Sequence, residues 1–265
     1  MIASLRYEWV RIRTIRSTYI LLALTFGLVA FLAWEIANPQ DAGPGVDPAD
    51  VQVFVPWYEA FSAPLTLATI LASVAAAQSI GQEYRFGLIR LTLTAFPQRL
   101  QVLGAKLIVV VGAMVVFTGV SFLGSEVGVT LRGFPTPPEG TFAPEHSIVV
   151  LGAVFVVLWG LSAFAIAGIT RQTALGIAVP IVSGLVVEQL LAVVLRDRAD
   201  WLVRILPWST ATRWDVDPIS SDSGGAAGSL GIDQLPVGWQ ALGVFGAWVL
   251  ALLAVEAMAF LRRDA

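Results

Sequence analysis

Six stretches of about twenty mostly apolar residues run along the chain, near 18–37, 57–80, 105–129, 148–169, 174–195 and 239–261, each long enough to cross a bilayer as a helix. The fourth and fifth are separated only by residues 170–173, which predicts a tight helical hairpin. Ahead of the first lies a different pattern. Within residues 1–17, Ile2, Leu5, Trp9, Ile12 and Ile15 recur at steps of three and four, one stripe of a helix, with Arg6, Glu8, Arg13 and Arg16 largely off it. This predicts an amphipathic helix along the membrane surface, its arginines toward lipid phosphates. It serves either as a topogenic anchor or as a docking element for a cytosolic partner. The predicted class is an all-α integral membrane protein, a single transmembrane domain of six spans, and the sequence shows no internal repeat.

The links between spans differ. Residues 81–105 mix charge (Glu83, Arg85, Arg90, Arg99) with apolar and aromatic groups (Tyr84, Phe86, Leu88, Ile89, Leu93, Phe96), and Pro97 should end a short helix near Ala95. Apolar residues on a water-facing loop predict a surface covered by protein; the alternative is a loop folded back on its own helices. Residues 130–147 hold Pro135, Pro137, Pro138 and Pro144 and should be extended. Within 196–238, the first half is rich in Trp and Arg and predicts short helices dipping back toward the bilayer, whereas 215–238 is rich in Gly, Ser and Asp.

Composition agrees with a lipid solvent. The chain of 265 residues is 57% hydrophobic and 13% charged, with mean hydropathy +0.78, about half the charge density of a soluble domain. That excludes a soluble enzyme, a nucleic-acid binder and a disordered protein. The absence of Cys excludes disulfides and thiolate metal sites, and His146 alone builds no metal motif. Arginine and lysine set the orientation: eleven fall on the N-terminal side of the six spans against five on the other. Both termini should then be cytoplasmic. The first span reads as uncleaved, because Glu35 spoils the small-residue site ending at Ala37.

Polar residues inside the spans are the candidate chemistry. In the second span, Glu59, Ser62, Thr66, Thr69 and Ser73 share one helical face, which either packs against a neighbouring helix or lines a wet path. In the fifth, Gly176, Pro180, Gly184 and Glu188 recur at steps of four, with Pro180 expected to kink the helix. Glu35, Glu59, Glu126 and Glu188 lie toward the outer side, with Arg132, Arg196 and Arg198 as available partners; near the inner end, Glu256 can pair with Arg262 or Arg263. A buried carboxylate of this kind is either paired or turned toward a cationic substrate or proton. No G-x-x-x-x-G-K-[ST] phosphate loop occurs, so ATP-driven work needs a nucleotide-binding partner.

On these features the chain resembles the membrane subunit of ABC-2-type ABC transporters. The shared topology is an amphipathic N-terminal helix, six spans, a long inner loop after the second and an interfacial segment before the sixth. Locally, Glu83, Gly87, Arg90, Pro97, Arg99 and Lys106 resemble the family's inner-loop pattern, and Leu206-Pro207-Trp208-Ser209 its segment after the fifth span. The resemblance implies an exporter permease in a bacterial plasma membrane, dimerised with a second copy or a homologous permease. Two cytosolic ATPase subunits would hold ATP and Mg, and this chain would bind no cofactor and no metal. It implies that residues 81–105 form a coupling helix braced by the N-terminal helix, giving Tyr84, Arg85, Phe86, Arg90, Phe96 and Arg99 a role in transmission. It also implies that Glu59, Ser62, Thr66, Thr69, Ser73, Gly184 and Glu188 face a central path. The competing readings are a proton-coupled transporter or channel using Glu188, and a non-transporting anchor of a signalling complex.

Overall fold

The computed structural model describes residues 2–37, 57–96, 98–133, 148–195, 199–215 and 235–262, and every regular element among them is helical. In chain order these are α1 (Ile2–Thr14), α2 (Arg16–Ile36), α3 (Trp57–Arg85), α4 (Leu88–Ala95), α5 (Arg99–Leu131), α6 (Ile148–Thr170), α7 (Thr173–Leu195), α8 (Asp200–Arg204), α9 (Pro207–Ala211) and α10 (Gly238–Arg262). Six of them, α2, α3, α5, α6, α7 and α10, are long and apolar enough to cross a membrane. The spans lie where the apolar stretches predict them. The clearest shift is in the third, which starts at Arg99 rather than 105, because the turn after Gln98 is amphipathic and carries no uniform apolar signal. Of the loop 130–147 predicted as extended, residues 130–131 instead finish the third span's helix, and 134–147 lie outside the described residues, as do 216–234 of the Gly/Ser/Asp-rich 215–238 and Pro97.

Helices α3 and α6 form the centre, with α2 and α5 packed on one side and α7 and α10 on the other. Apolar burial does not hold helices together in lipid; close backbone approach and interhelical polar contacts do. The α2–α5 pair shows the device. Gly124 and Gly128 of α5, four apart, lie on the α2 backbone, so a Cβ added at Gly128 would stand 2.4 Å from the Ala30 carbonyl oxygen. Gly128→Ala is therefore expected to cost about 1–3 kcal/mol by overpacking. Gly112→Ala, with nothing within 4 Å of its added Cβ, should leave the thermal midpoint in detergent unchanged.

An aromatic box fills the end of the bundle opposite α1. Trp214, just past α9, is fully buried and stacks on Phe155 at 5.4 Å, with Phe61 edge-on at 6.5 Å. The segment after α7 thus turns back into the bundle, and its short helix α9 buries Pro207, Ser209, Thr210 and Ala211. Helix α7 is not a uniform helix. Pro180 removes an intrahelical donor, and residues Ser183–Val187 follow as a π-helical turn before α-geometry resumes at Glu188.

Candidate functional site

The predicted coupling segment is built on the α1 end of the bundle. α3 stops at Arg85 and the chain reverses at Gly87, whose φ of +68° is the left-handed region that suits glycine. In α4 the two sides differ. Ile89 and Thr92 are buried against the chain's own helices, whereas Leu88, Arg90 and Leu91 (69% exposed) stand outward, together with Arg85 and Phe86 (64% exposed) just ahead of the helix. The fold-back reading of this loop thus describes the Ile89–Thr92 side, and the opposite side is exposed. Two ties hold the chain just after it. Phe96 packs on Tyr7 of α1 with ring centres 6.2 Å apart. Arg99 donates to the carbonyl oxygens of Phe260 and Leu261 at 3.2 and 3.3 Å, a cation at the C-terminus of α10. The α6–α7 turn closes against the same place: Arg171 lies 5.4 Å over the Tyr84 ring, and Gly81 meets Thr173 so closely that a Cβ there would stand 2.9 Å from its Cα. Arg171 thus belongs to this surface, although sequence reasoning passed over it.

Beneath α4 lies an ionic cluster that the sequence did not assemble. Lys106 is completely buried in α5, and its Nζ donates to Glu8 Oε1 and Glu83 Oε1, each at 2.5 Å. Arg11 bridges the same two carboxylates, at 3.0 Å from Glu8 and in a short contact with Glu83, and donates to the Ser79 carbonyl oxygen at 2.5 Å. One expectation changes here. Glu83 is buried and bonded inside the subunit, so it presents nothing to a partner. In helix α1, Ser4 and Glu8 are the buried residues, while Ile2 and Trp9 of the apolar stripe are exposed and Leu5, Ile12 and Ile15 half-buried. An ammonium inside an apolar span needs carboxylates within reach, and α1 supplies one of them.

At the opposite end, the predicted path residues are turned into the subunit. Ser62, Thr69 and Ser73 are buried and Thr66 half-buried, and the hydroxyls of Thr66, Thr69 and Ser73 bond back to carbonyls of α3. Among the described residues, the stripe is taken up largely in helix packing within this subunit. The side chain of Glu59 lies outside the described residues. Gly184 packs on Trp208 of α9, where a Cβ would stand 2.9 Å from the Trp208 Cβ. Glu188 is buried and accepts the Ser209 N–H at 2.6 Å, within the field of Arg213. Among the described residues its partners are therefore α9 and Arg213, not the expected Arg132. Arg132 instead stacks 3.7 Å over the Trp34 ring and donates to its carbonyl oxygen, while Arg196 and Arg198 lie outside the described residues. Burial raises the Asp215 carboxyl above its usual pKa, and a hydrogen bond with Ser62 partly offsets that.

Glu256 also departs from expectation. It is buried against Gly168 of α6, and neither carboxyl oxygen has a hydrogen-bond partner among the described residues. It does not pair with Arg262, which is exposed, and Arg263 lies outside the described residues.

The comparison that decides the family covers the whole stretch from α1 to the π-helical turn. The model of the ABC-2 family transporter protein matches residues 4–187. The chain belongs to the ABC-2 transporter family. No curated protein matches the sequence. The ABC-2 match takes in α4, the ionic cluster and the buried stripe of α3; Leu206-Pro207-Trp208-Ser209 lies beyond it.

Proposed function

We propose that this ABC-2 protein is the membrane subunit of an ATP-driven exporter in a bacterial plasma membrane, moved from the cytoplasmic side by a separate ATPase. The observation that carries the reading is the outward face of 85–91: large apolar groups between arginines on a rigidly tied base. Such a patch suits a partner with an apolar groove and an acidic rim. Around it, exposed charge is wholly basic among the described residues: Arg6, Arg13, Arg16, Arg85, Arg90, Arg171 and Arg262 are exposed, whereas Glu8, Glu83 and Glu256 are buried. That asymmetry supports a cytoplasmic location for this end and for both termini.

ATP and Mg would be held by the partner, since the chain has no phosphate loop. Closure of two ATPases would drive the two α4 helices together, and the ionic cluster would pass that movement to α1, α3 and α5 at once. A second copy or a homologous permease would complete the transporter, docking on an outward apolar face such as that of α7 (Leu185, Val186, Leu190 and Val194 are exposed). The transport path would then be lined by residues other than the buried α3 stripe.

The test is reconstitution in liposomes with the ATPase that copurifies from its native membrane. Transport that requires ATP and the ATPase is the expected result. Transport by this chain alone, driven by a pH gradient, would favour the proton-coupled reading, which the fastening of Glu188 to Ser209 does not support.

A further inference from the structure

Among the described residues, Arg171 is the one non-glycine whose backbone lies in the left-handed region, with φ +59°. It follows Thr170, the last residue of α6, a place where that geometry is normally given to glycine or asparagine. An arginine there carries strain that a glycine would not. Two services inside the subunit fail to account for it. The side chain is exposed, with its guanidinium 5.4 Å over the Tyr84 ring, and a cation–ring contact in water is worth no more than the strain. A positive charge at the C-terminus of α6, or at this end of the spans, would be supplied as well by an arginine in place of Gln172, which is exposed and extended at φ −132°.

The α6–α7 turn stands beside the face proposed for the ATPase. Tyr84 precedes Arg85, the first residue of that face, and Gly81, one turn earlier in α3, meets Thr173 so closely that a Cβ there would stand 2.9 Å from the Thr173 Cα. We propose that this turn is a second seat for the ATPase, at which the Arg171 guanidinium, steered by the Tyr84 ring, meets a carboxylate of that partner. The left-handed residue ends α6 and sends the chain straight into α7, so a contact at Arg171 acts on α7 directly. That helix starts at Thr173, changes course at Pro180 and the π-helical turn Ser183–Val187, and at its far end fastens Glu188 to the Ser209 N–H. The ATPase would then work on the bundle at two points, α4 and the start of α7, and the second would reach the end that holds α9 without passing through the ionic cluster.

The inference rests on the ATP-driven reading, and the experiment separates the two. Wild type, Arg171→Gly, Arg171→Gln and Arg13→Gln are compared as full chains, by a melting curve of the permease alone and by titration with the ATPase that copurifies with wild type. Glycine takes the left-handed backbone at no steric cost, so Arg171→Gly should melt within about 3 °C of wild type or above it. Its affinity for the ATPase should fall about tenfold or more. Arg171→Gln, which keeps most of the length without the charge, should lose as much. Arg13→Gln, which takes an exposed charge from the same end, should stay within about threefold of wild type. A larger drop in the melting point of Arg171→Gly would assign the arginine to the subunit's own stability and overturn the inference. Undiminished affinity in either Arg171 variant, or an equal loss in Arg13→Gln, overturns it too while leaving the ATP-driven reading intact. A wild-type permease that binds no ATPase defeats that reading and the second seat with it.

Discussion

Replacing Arg85, Phe86 and Arg90 together with Ala is expected to abolish capture of the ATPase by the tagged permease, with affinity falling about a hundredfold or more if at least one of them is a hot spot of ~2–4 kcal/mol. The three are exposed at the outer face of the turn into α4, and the Arg85 guanidinium lies 5.5 Å from the Phe86 ring, so they form one continuous patch. None belongs to the ionic cluster, so the triple variant should keep its thermal midpoint. Copurification by affinity pull-down and a melting curve on the same sample check both halves. An unchanged yield of ATPase would show that this face is not where the partner holds.

The second large effect concerns Lys106. Lys106→Met leaves Glu8 and Glu83 buried with Arg11 as their remaining cation. Removing one partner of a buried ion pair costs about 3–5 kcal/mol, so the thermal midpoint of the purified permease should drop by roughly ten degrees or more, at about 2–4 °C per kcal/mol. The informative control removes the whole cluster. A variant carrying Glu8→Gln, Arg11→Met, Glu83→Gln and Lys106→Met loses its charges together and should be more stable than Lys106→Met alone, because desolvation is relieved along with attraction. It should nonetheless transport poorly, since α1, α3 and α5 would no longer move as one body. A Lys106→Met protein as stable as wild type would show that the cluster holds nothing.

The spans were legible because lipid imposes length and apolarity on every helix, and the end of a short helix near Ala95 followed from Pro97 alone. The ionic cluster was partly legible. Ser4, Glu8 and Arg11 recur at steps of four and three, a polar stripe as regular as the apolar one beside it. A soluble helix buries the apolar stripe; a helix at a membrane can turn that stripe to lipid and bury the polar one. Lys106, a lone cation inside an apolar run, was the second signal, and it was read as the start of the span because α5 extends further toward Arg99 than apolarity shows.

Pairings between distant segments were not legible. Arg132 and Arg213 both stand on the side of Glu188, and proximity in sequence favours neither. What decides is that α9 turns back into the bundle and presents the Ser209 N–H to the carboxylate. The stripe in α3 left its two readings open for the same reason. Periodicity showed that Ser62, Thr66, Thr69 and Ser73 share a face, but nothing in one sequence tells whether a face meets the subunit's own helices or a second copy.

The central claim is that the outward face of α4 is gripped by a separate motor. A photo-crosslinking amino acid placed at Leu91, which is 69% exposed, tests it in membranes that contain the partner ATPase. Illumination should yield an adduct of one permease with one ATPase, suppressed by the Arg85–Phe86–Arg90 triple replacement. Adducts confined to the permease's own chain, or labelling of this position by a membrane-impermeant reagent from outside the cell, would contradict the account.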